Sequence, residues 1–161
     1  MVLDVTEVAG GPHDAVGFLL AQLGTVTARR FREVLTPLGI EPRQFAVLRL
    51  VAQSEGQSQQ ALGDSLHIAP SQMVSLVDEL EQRGLVERRA NPSDRRVRAL
   101  HVTAAGRKTL AAAGRLAMEH ETRLCEPLQP GERQALIAML QRLAAAQGLH
   151  PGVHPGLDHG S

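Results

Sequence analysis

The chain has no tryptophan, no tyrosine and only three phenylalanines in 161 residues. Any core must therefore be built from Leu, Val, Ala, Ile and Met, a composition that favours packed helices. Cys125 is the single cysteine. It excludes an intrachain disulfide and any Cys-x-x-Cys zinc pattern, and it fits a reducing compartment. No apolar run approaches the roughly 18 residues needed to span a bilayer. The start, MVLDVTEVAGG, lacks the basic lead and apolar centre of a signal peptide. These absences predict a soluble cytoplasmic protein with no membrane partner.

The signatures of catalysis are also missing. There is no Gly-rich phosphate loop, no Gly-x-Ser-x-Gly elbow, no His-Glu-x-x-His and no credible Cys-His arrangement. Asp78, Glu79 and Glu81 read as a charged helix surface. No catalytic residue and no cofactor is expected. Among the seven histidines, His13, His67, His101 and His120 form no i, i+3 or i, i+4 pair on a helix, so no metal site is expected. Cys125, late in the fifth predicted helix, reads as a small packed hydrophobe.

Net charge is absent too, with 17 basic residues against 17 acidic, and that balance alone argues against a nucleic-acid partner. The average conceals a local excess. Between Arg83 and Lys108 eight basic residues stand against Glu87 and Asp94.

What is present is helical periodicity in a chain the size of one domain. Residues 1–12, ending in Gly10, Gly11 and Pro12, read as a loose arm. Residues 13–40 hold a long first helix whose stripe of Val16, Leu19, Leu20, Leu23, Val26, Phe31, Val34 and Leu35 suits packing against another long helix. Pro42 opens a second helix with Phe45, Leu48 and Val51 inward, and the polar stretch from Gln53 to Gln57 ends it. Ser58 caps a short third helix. Pro70 opens a fourth, with Met73, Leu76, Val77 and Leu80 inward, and Ser71, Gln72, Val74, Ser75 and Asp78 outward. Gly84 is its left-handed stop.

Leu85–Ala90 and Val97–Val102 then alternate with period two around the turn-forming cluster Asn91 to Arg95, which predicts a hairpin with Val86, Leu100 and Val102 inward. Thr103 caps a fifth helix and Pro130 starts a sixth. The predicted class is mainly α with a small β-hairpin wing. Residues 41–103 form a winged helix-turn-helix unit, 104–147 two further long helices, and 148–161 a Pro/Gly/His tail.

The outer face of the fourth helix followed at once by an arginine-tipped hairpin has the chemistry of duplex DNA readout. Small polar side chains let a helix sit deep in the major groove, where Gln pairs with adenine, Ser with several bases, and an apolar Val74 meets a thymine methyl. Arginine on the hairpin suits the negative minor groove. The remaining arginines and the helix N-termini suit phosphates. The candidate DNA-binding residues are Pro70, Ser71, Gln72, Val74, Ser75, Arg88, Asp94, Arg95, Arg96 and Arg98.

The run from Leu66 to Thr103 resembles the winged-helix core of the MarR (multiple antibiotic resistance regulator) family. Its most specific element is Asn-Pro-x-Asp-x-Arg at Asn91, Pro92, Asp94 and Arg96. That element sits between Leu-x-x-x-Gly-Leu-Val-x-Arg at Leu80–Arg88 and Thr-x-x-Gly at Thr103–Gly106. The resemblance implies a homodimer made by the first, fifth and sixth helices. It further implies a regulator, most often a repressor, on inverted-repeat DNA, with release by a small-molecule effector. By the same analogy Arg96 enters the minor groove and Asp94 orients it or a neighbouring arginine. Two positions depart from the family: Ser75 stands where Arg is common, and Ala69 where a Ser or Asp cap is usual. The cleft between the long helices and the winged unit is the expected effector site, with Leu19, Leu23, Phe45 and Val51 as candidate walls. A winged helix that binds only protein is the alternative, although such a unit needs no arginine at a protruding tip.

Overall fold

The computed structural model describes residues 15–65, 68–90, 98–152 and 154. Helix α1 (Val16–Leu35) leads through a 3₁₀ turn (Thr36–Leu38) into α2 (Pro42–Gln53), α3 (Gln59–Ser65) and α4 (Pro70–Gln82). An antiparallel hairpin of β1 (Val86–Ala90) and β2 (Arg98–Val102) follows, then α5 (Ala104–Leu124) and α6 (Pro130–Ala146). This is the expected mainly helical winged architecture. Among the described residues no helix is long and apolar enough to cross a membrane.

The boundaries have local causes. Pro42, Pro70 and Pro130 take the first positions of α2, α4 and α6, where a missing N–H has no intrahelical partner to lose. Glu41 with Gln44, and Gln129 with Glu132, add reciprocal capping boxes. Ala69 offers α4 no side-chain acceptor, so Pro70 alone sets that start. Ser58 Oγ accepts from Ala61 N at 3.1 Å, and Thr103 Oγ1 from Gly106 N at 2.9 Å, as the cap assignments require. Gly84, at φ 68°, ends α4.

The buried cluster lies in the winged half. Leu48 and Val51 of α2, Met73, Val77 and Leu80 of α4, and Val86, Leu100 and Val102 of the hairpin meet there, joined by Leu35 of α1 and Ala113 of α5. Within the chain the apolar stripe of α1 is left largely uncovered, as suits a face meant for another long helix. Only Leu35 is buried, while Val16, Leu19, Leu20 and Leu23 stay exposed. Helix α6 buries nothing.

The hairpin pairs Val86 with Val102 and Ala90 with Arg98. Its outer edge is closed by a segment that reads from sequence as a plain loop. Gly56 N donates to Leu100 O and Leu100 N to Gln57 O, both at 2.9 Å, and Ser58 bridges Ala99. Glu55 Oε1 accepts from Val102 N at 3.0 Å and pairs with Arg107 Nη1 at 3.0 Å. The bond from the Val102 amide, helped by Arg107, holds the Glu55 carboxyl below its ordinary value.

At the other end of β2, Thr103 N donates to Leu85 O at 3.1 Å, and its hydroxyl donates to Gly84 O at 2.6 Å. A Cβ on Gly106 would lie 2.0 Å from Leu85 O. The Thr-x-x-Gly pattern is thus the joint at which the hairpin root meets α5, and only glycine fits it.

Candidate nucleic-acid interface

Helix α4 is divided lengthwise. Met73, Leu76, Val77 and Leu80 are buried, whereas Pro70, Ser71, Val74 and Ser75 are exposed. Gln72 lies between the two faces, half-buried, and its Oε1 is covered without a hydrogen-bond donor. The Ser75 hydroxyl donates to Glu79 Oε1 at 3.2 Å, and Glu79 Oε2 accepts from Gln44 Nε2 at 2.7 Å. Gln44 is 8% exposed. Its Oε1 accepts the Glu41 N–H at 3.0 Å, which ties α4 to the first turn of α2.

The wing is fastened to α4 by Arg88. Its guanidinium donates to Asp78 and Glu81, and to Gln59 Oε1 at 2.8 Å. Partial burial opposes the charge, but the hydrogen bonds to Asp78 and Glu81 outweigh it and leave the arginine above its ordinary value. Arg88, one of the expected DNA contacts, is thus engaged within the fold. Its charge is neutralised within the fold, and the residue holds hairpin, α3 and α4 in one arrangement. The local basic excess shrinks for the same reason. Arg83 donates to the carbonyls of Gly39 and Leu38, Arg89 pairs with Glu87, and Arg107 pairs with Glu55. Arg98 is exposed at the start of β2. Asp94, Arg95 and Arg96 lie outside the described residues.

The cleft between α1, α2 and α5 is built differently from the expectation. A cavity of about 390 Å³ is lined by Phe31 of α1, by Pro42, Phe45 and Arg49 of α2, and by Ala117 and His120 of α5. Phe31 and Phe45 meet edge to face with centroids 6.1 Å apart, and the His120 ring lies 5.6 Å from Phe31. His120 Nε2 is covered without a partner. Of the four expected walls only Phe45 lines this cavity. Leu19 and Leu23 are 44% and 57% exposed on the first half of α1, and Val51 is 0% exposed inside the core. Leu48 and Val51, one turn apart, face the core together, and this spacing already signals burial.

The tail contributes instead. Arg49 Nη2 reaches Gly152 O at 3.5 Å, and His154 lines the cavity. Burial, with the nearby Arg43 charge, holds the His154 imidazole below its ordinary value. Cys125 caps α5 rather than packing inside it, half-buried with Sγ 3.5 Å from Glu121 Oε1.

The sequence profile of the MarR family matches residues 40–97. Over 142 residues, 87% of this chain and 86% of the other, the chain is 33% identical to the protein assigned as transcriptional regulator of the hcr operon in Thauera aromatica. Among solved structures it is similar to CouR from Rhodococcus jostii RHA1 bound to p-coumaroyl-CoA, with 33% identity and a TM-score of 0.70. The repressor CouR bound to a 23-mer DNA duplex aligns with 37% identity and a TM-score of 0.74. Both alignments cover 84% of this chain and 96% of the other. With this identity held over most of both chains and the helix order and hairpin as described, the chain belongs to the MarR family of winged helix-turn-helix transcription regulators.

Proposed function

We propose that the chain is a cytoplasmic, homodimeric repressor without catalytic activity. It binds inverted-repeat operator DNA with α4 in the major groove and the wing in the minor groove, and a small-molecule effector releases it. The observation that carries this reading is the division of α4. Its apolar side is fully used in the core, while Ser71, Val74 and Ser75 are presented outward beside a Gln72 oxygen that lacks a donor. Leaving a covered polar atom unpaired costs about 1–3 kcal/mol, so the Gln72 amide gains by turning out to an adenine edge. Pro70 and Ser71 bring the helix N-terminus to a phosphate. Arg96, oriented by Asp94, takes the minor groove, and Arg95 and Arg98 take phosphates. Arg88 acts indirectly by fixing the wing against α4.

Two further features fit. The exposed apolar residues of α1, α5 and α6, among them Leu23, Met118, Leu136 and Leu140, suit pairing across a two-fold axis, which places the recognition helices in successive major grooves. The cavity at Phe31, Phe45 and His120 suits an aromatic acyl effector, and the p-coumaroyl-CoA bound by CouR supports that class.

A salt titration of affinity on cognate and scrambled duplexes tests the DNA reading. Arg96→Ala should weaken binding to both duplexes and flatten the dependence of log affinity on log salt. Gln72→Ala should keep the slope but relax preference at one base pair per half-site by about 1–3 kcal/mol. An Arg96→Ala protein that binds both duplexes like its parent at every salt concentration would remove the wing from the interface and favour a protein partner.

A further inference from the structure

One group on the outer face of α4 has its hydrogen-bonding polarity set by the fold. A serine hydroxyl that is free to rotate both donates and accepts, so it pairs with any base edge. Ser75 is exposed in mid-helix, but its Oγ lies 3.2 Å from Glu79 Oε1, one turn further on. A carboxylate only accepts, so the Ser75 proton points at Glu79.

On an ordinary helix surface water would compete for such a pair. Here the carboxylate is anchored from behind, since Glu79 Oε2 accepts from Gln44 Nε2 at 2.7 Å. Gln44 is the one buried polar residue among those described, and its own oxygen is taken by the Glu41 N–H at 3.0 Å. With its proton committed, Ser75 offers only lone pairs to the groove. The adjacent carboxylate reinforces the same sign, attracting amino groups and repelling carbonyl oxygens.

We propose that Ser75, backed by Glu79, is an acceptor-only specificity determinant that selects a base presenting an amino group in the major groove. That base is cytosine through N4 or adenine through N6, against guanine O6 and thymine O4. Glu79 and Gln44 are positioning residues that act through Ser75. The inference rests on the placement of α4 in the major groove proposed above.

The test is a base-preference profile. Each position of the half-site in a bound duplex is changed in turn to all four bases, and affinity is measured for the full-length parent, Ser75→Ala, Glu79→Ala and Glu79→Gln. Ser75→Ala should flatten one position per half-site, where the parent favours cytosine or adenine by about three- to tenfold. The profile itself tells which of the two is read. Glu79→Ala frees the hydroxyl, so all four bases should be tolerated there while other positions keep their preferences. Glu79→Gln retains an oxygen for Gln44 and turns an amide donor toward Ser75, so preference should move toward guanine or thymine. A residue that merely held α4 in place would weaken every position together and produce no such inversion. The inference is overturned if Ser75→Ala alters no position, if the parent prefers guanine or thymine at the altered one, or if both Glu79 variants keep the parent profile. A parent protein without any sequence preference overturns the underlying DNA reading as well.

Discussion

Helices α4 and α6 start alike and end in opposite states. Each opens on a proline and carries an apolar stripe at helical spacing. Yet Met73, Leu76, Val77 and Leu80 are at most 5% exposed, whereas Leu136, Ile137, Met139, Leu140 and Leu143 are between 37% and 52% exposed. The difference is in the neighbours. Helix α4 is followed by a glycine stop and a hairpin that fold back on it, while α2 and α3 close its other sides. Helix α6 follows a 21-residue helix of which only Gly106 and Ala113 are buried. An apolar stripe records that a face will be covered, without recording by which chain. The winged half covers its apolar faces within one chain, whereas α6 buries no residue there.

The strongest way to break that contrast is to cut into each helix. Leu80→Ala should lower stability by about 2–5 kcal/mol, read as a shift of similar size in urea melts at low and high protein concentration. Leu140→Asp should leave the winged half protected in hydrogen exchange while sedimentation reports a chain of single mass. If Leu140→Asp unfolds the winged half instead, the two regions are not independent.

A narrower probe lies at the boundary between them. Gly106→Ala would place a methyl group against the Leu85 carbonyl, which is backbone and has no rotamer with which to yield. A loss of about 1–3 kcal/mol is expected, with exchange protection lost first around Leu85, Thr103 and the first turn of α5. Protection spread evenly through α6 as well would show that the joint governs more than the wing root.

The smallest effect concerns the closed edge of the hairpin. The Glu55 carboxyl is held below its ordinary value by the Val102 amide. Its contribution is therefore present above the unfolded-state value and fades as pH falls through the folded one. Because the pair with Arg107 is largely solvated, Glu55→Gln should cost at most about 0.5 kcal/mol near neutrality. The gap between parent and variant should close in acid, below the ordinary glutamate range. A gap that widens in acid would mean that Glu55 does not hold the sheet edge as a carboxylate.

These contrasts also mark what could be read from the chain before folding. Caps and stops were legible at Pro42, Ser58, Gly84 and Thr103 because each acts on neighbours within four residues. The inward faces of α4 and the hairpin were legible from periods of 3.6 and 2. The covering partner of α1 was not, since period says nothing about it. The role of Arg88 was hidden because charge counting ignores that Asp78 and Glu81, three apart on α4, form a two-carboxylate seat beneath the next strand. Residues 55–58 were hidden for another reason: backbone pairing at a sheet edge leaves no side-chain pattern. Of the expected DNA contacts on α4, Pro70, Ser71, Val74 and Ser75 fall on the presented side and Gln72 between the two faces, while the contact of the wing tip is a proposal tested at Arg96.

The Thr103–Gly106 joint has a mechanical consequence. Helix α5 is 21 residues long, a rod of about 31 Å at 1.5 Å per residue. It is clamped to the hairpin root at one end and walls the aromatic cavity with Ala117 and His120 toward the other. No methyl group fits between rod and root, and Thr103 donates to both Gly84 O and Leu85 O, so the two are joined by close backbone contact. A tilt of about 10° swings one end of such a rod by about 5 Å, close to the roughly 6 Å width of a minor groove. If the wing enters the minor groove as proposed, a tilt of this rod started beside His120 displaces the hairpin root by a distance comparable with the width of that groove.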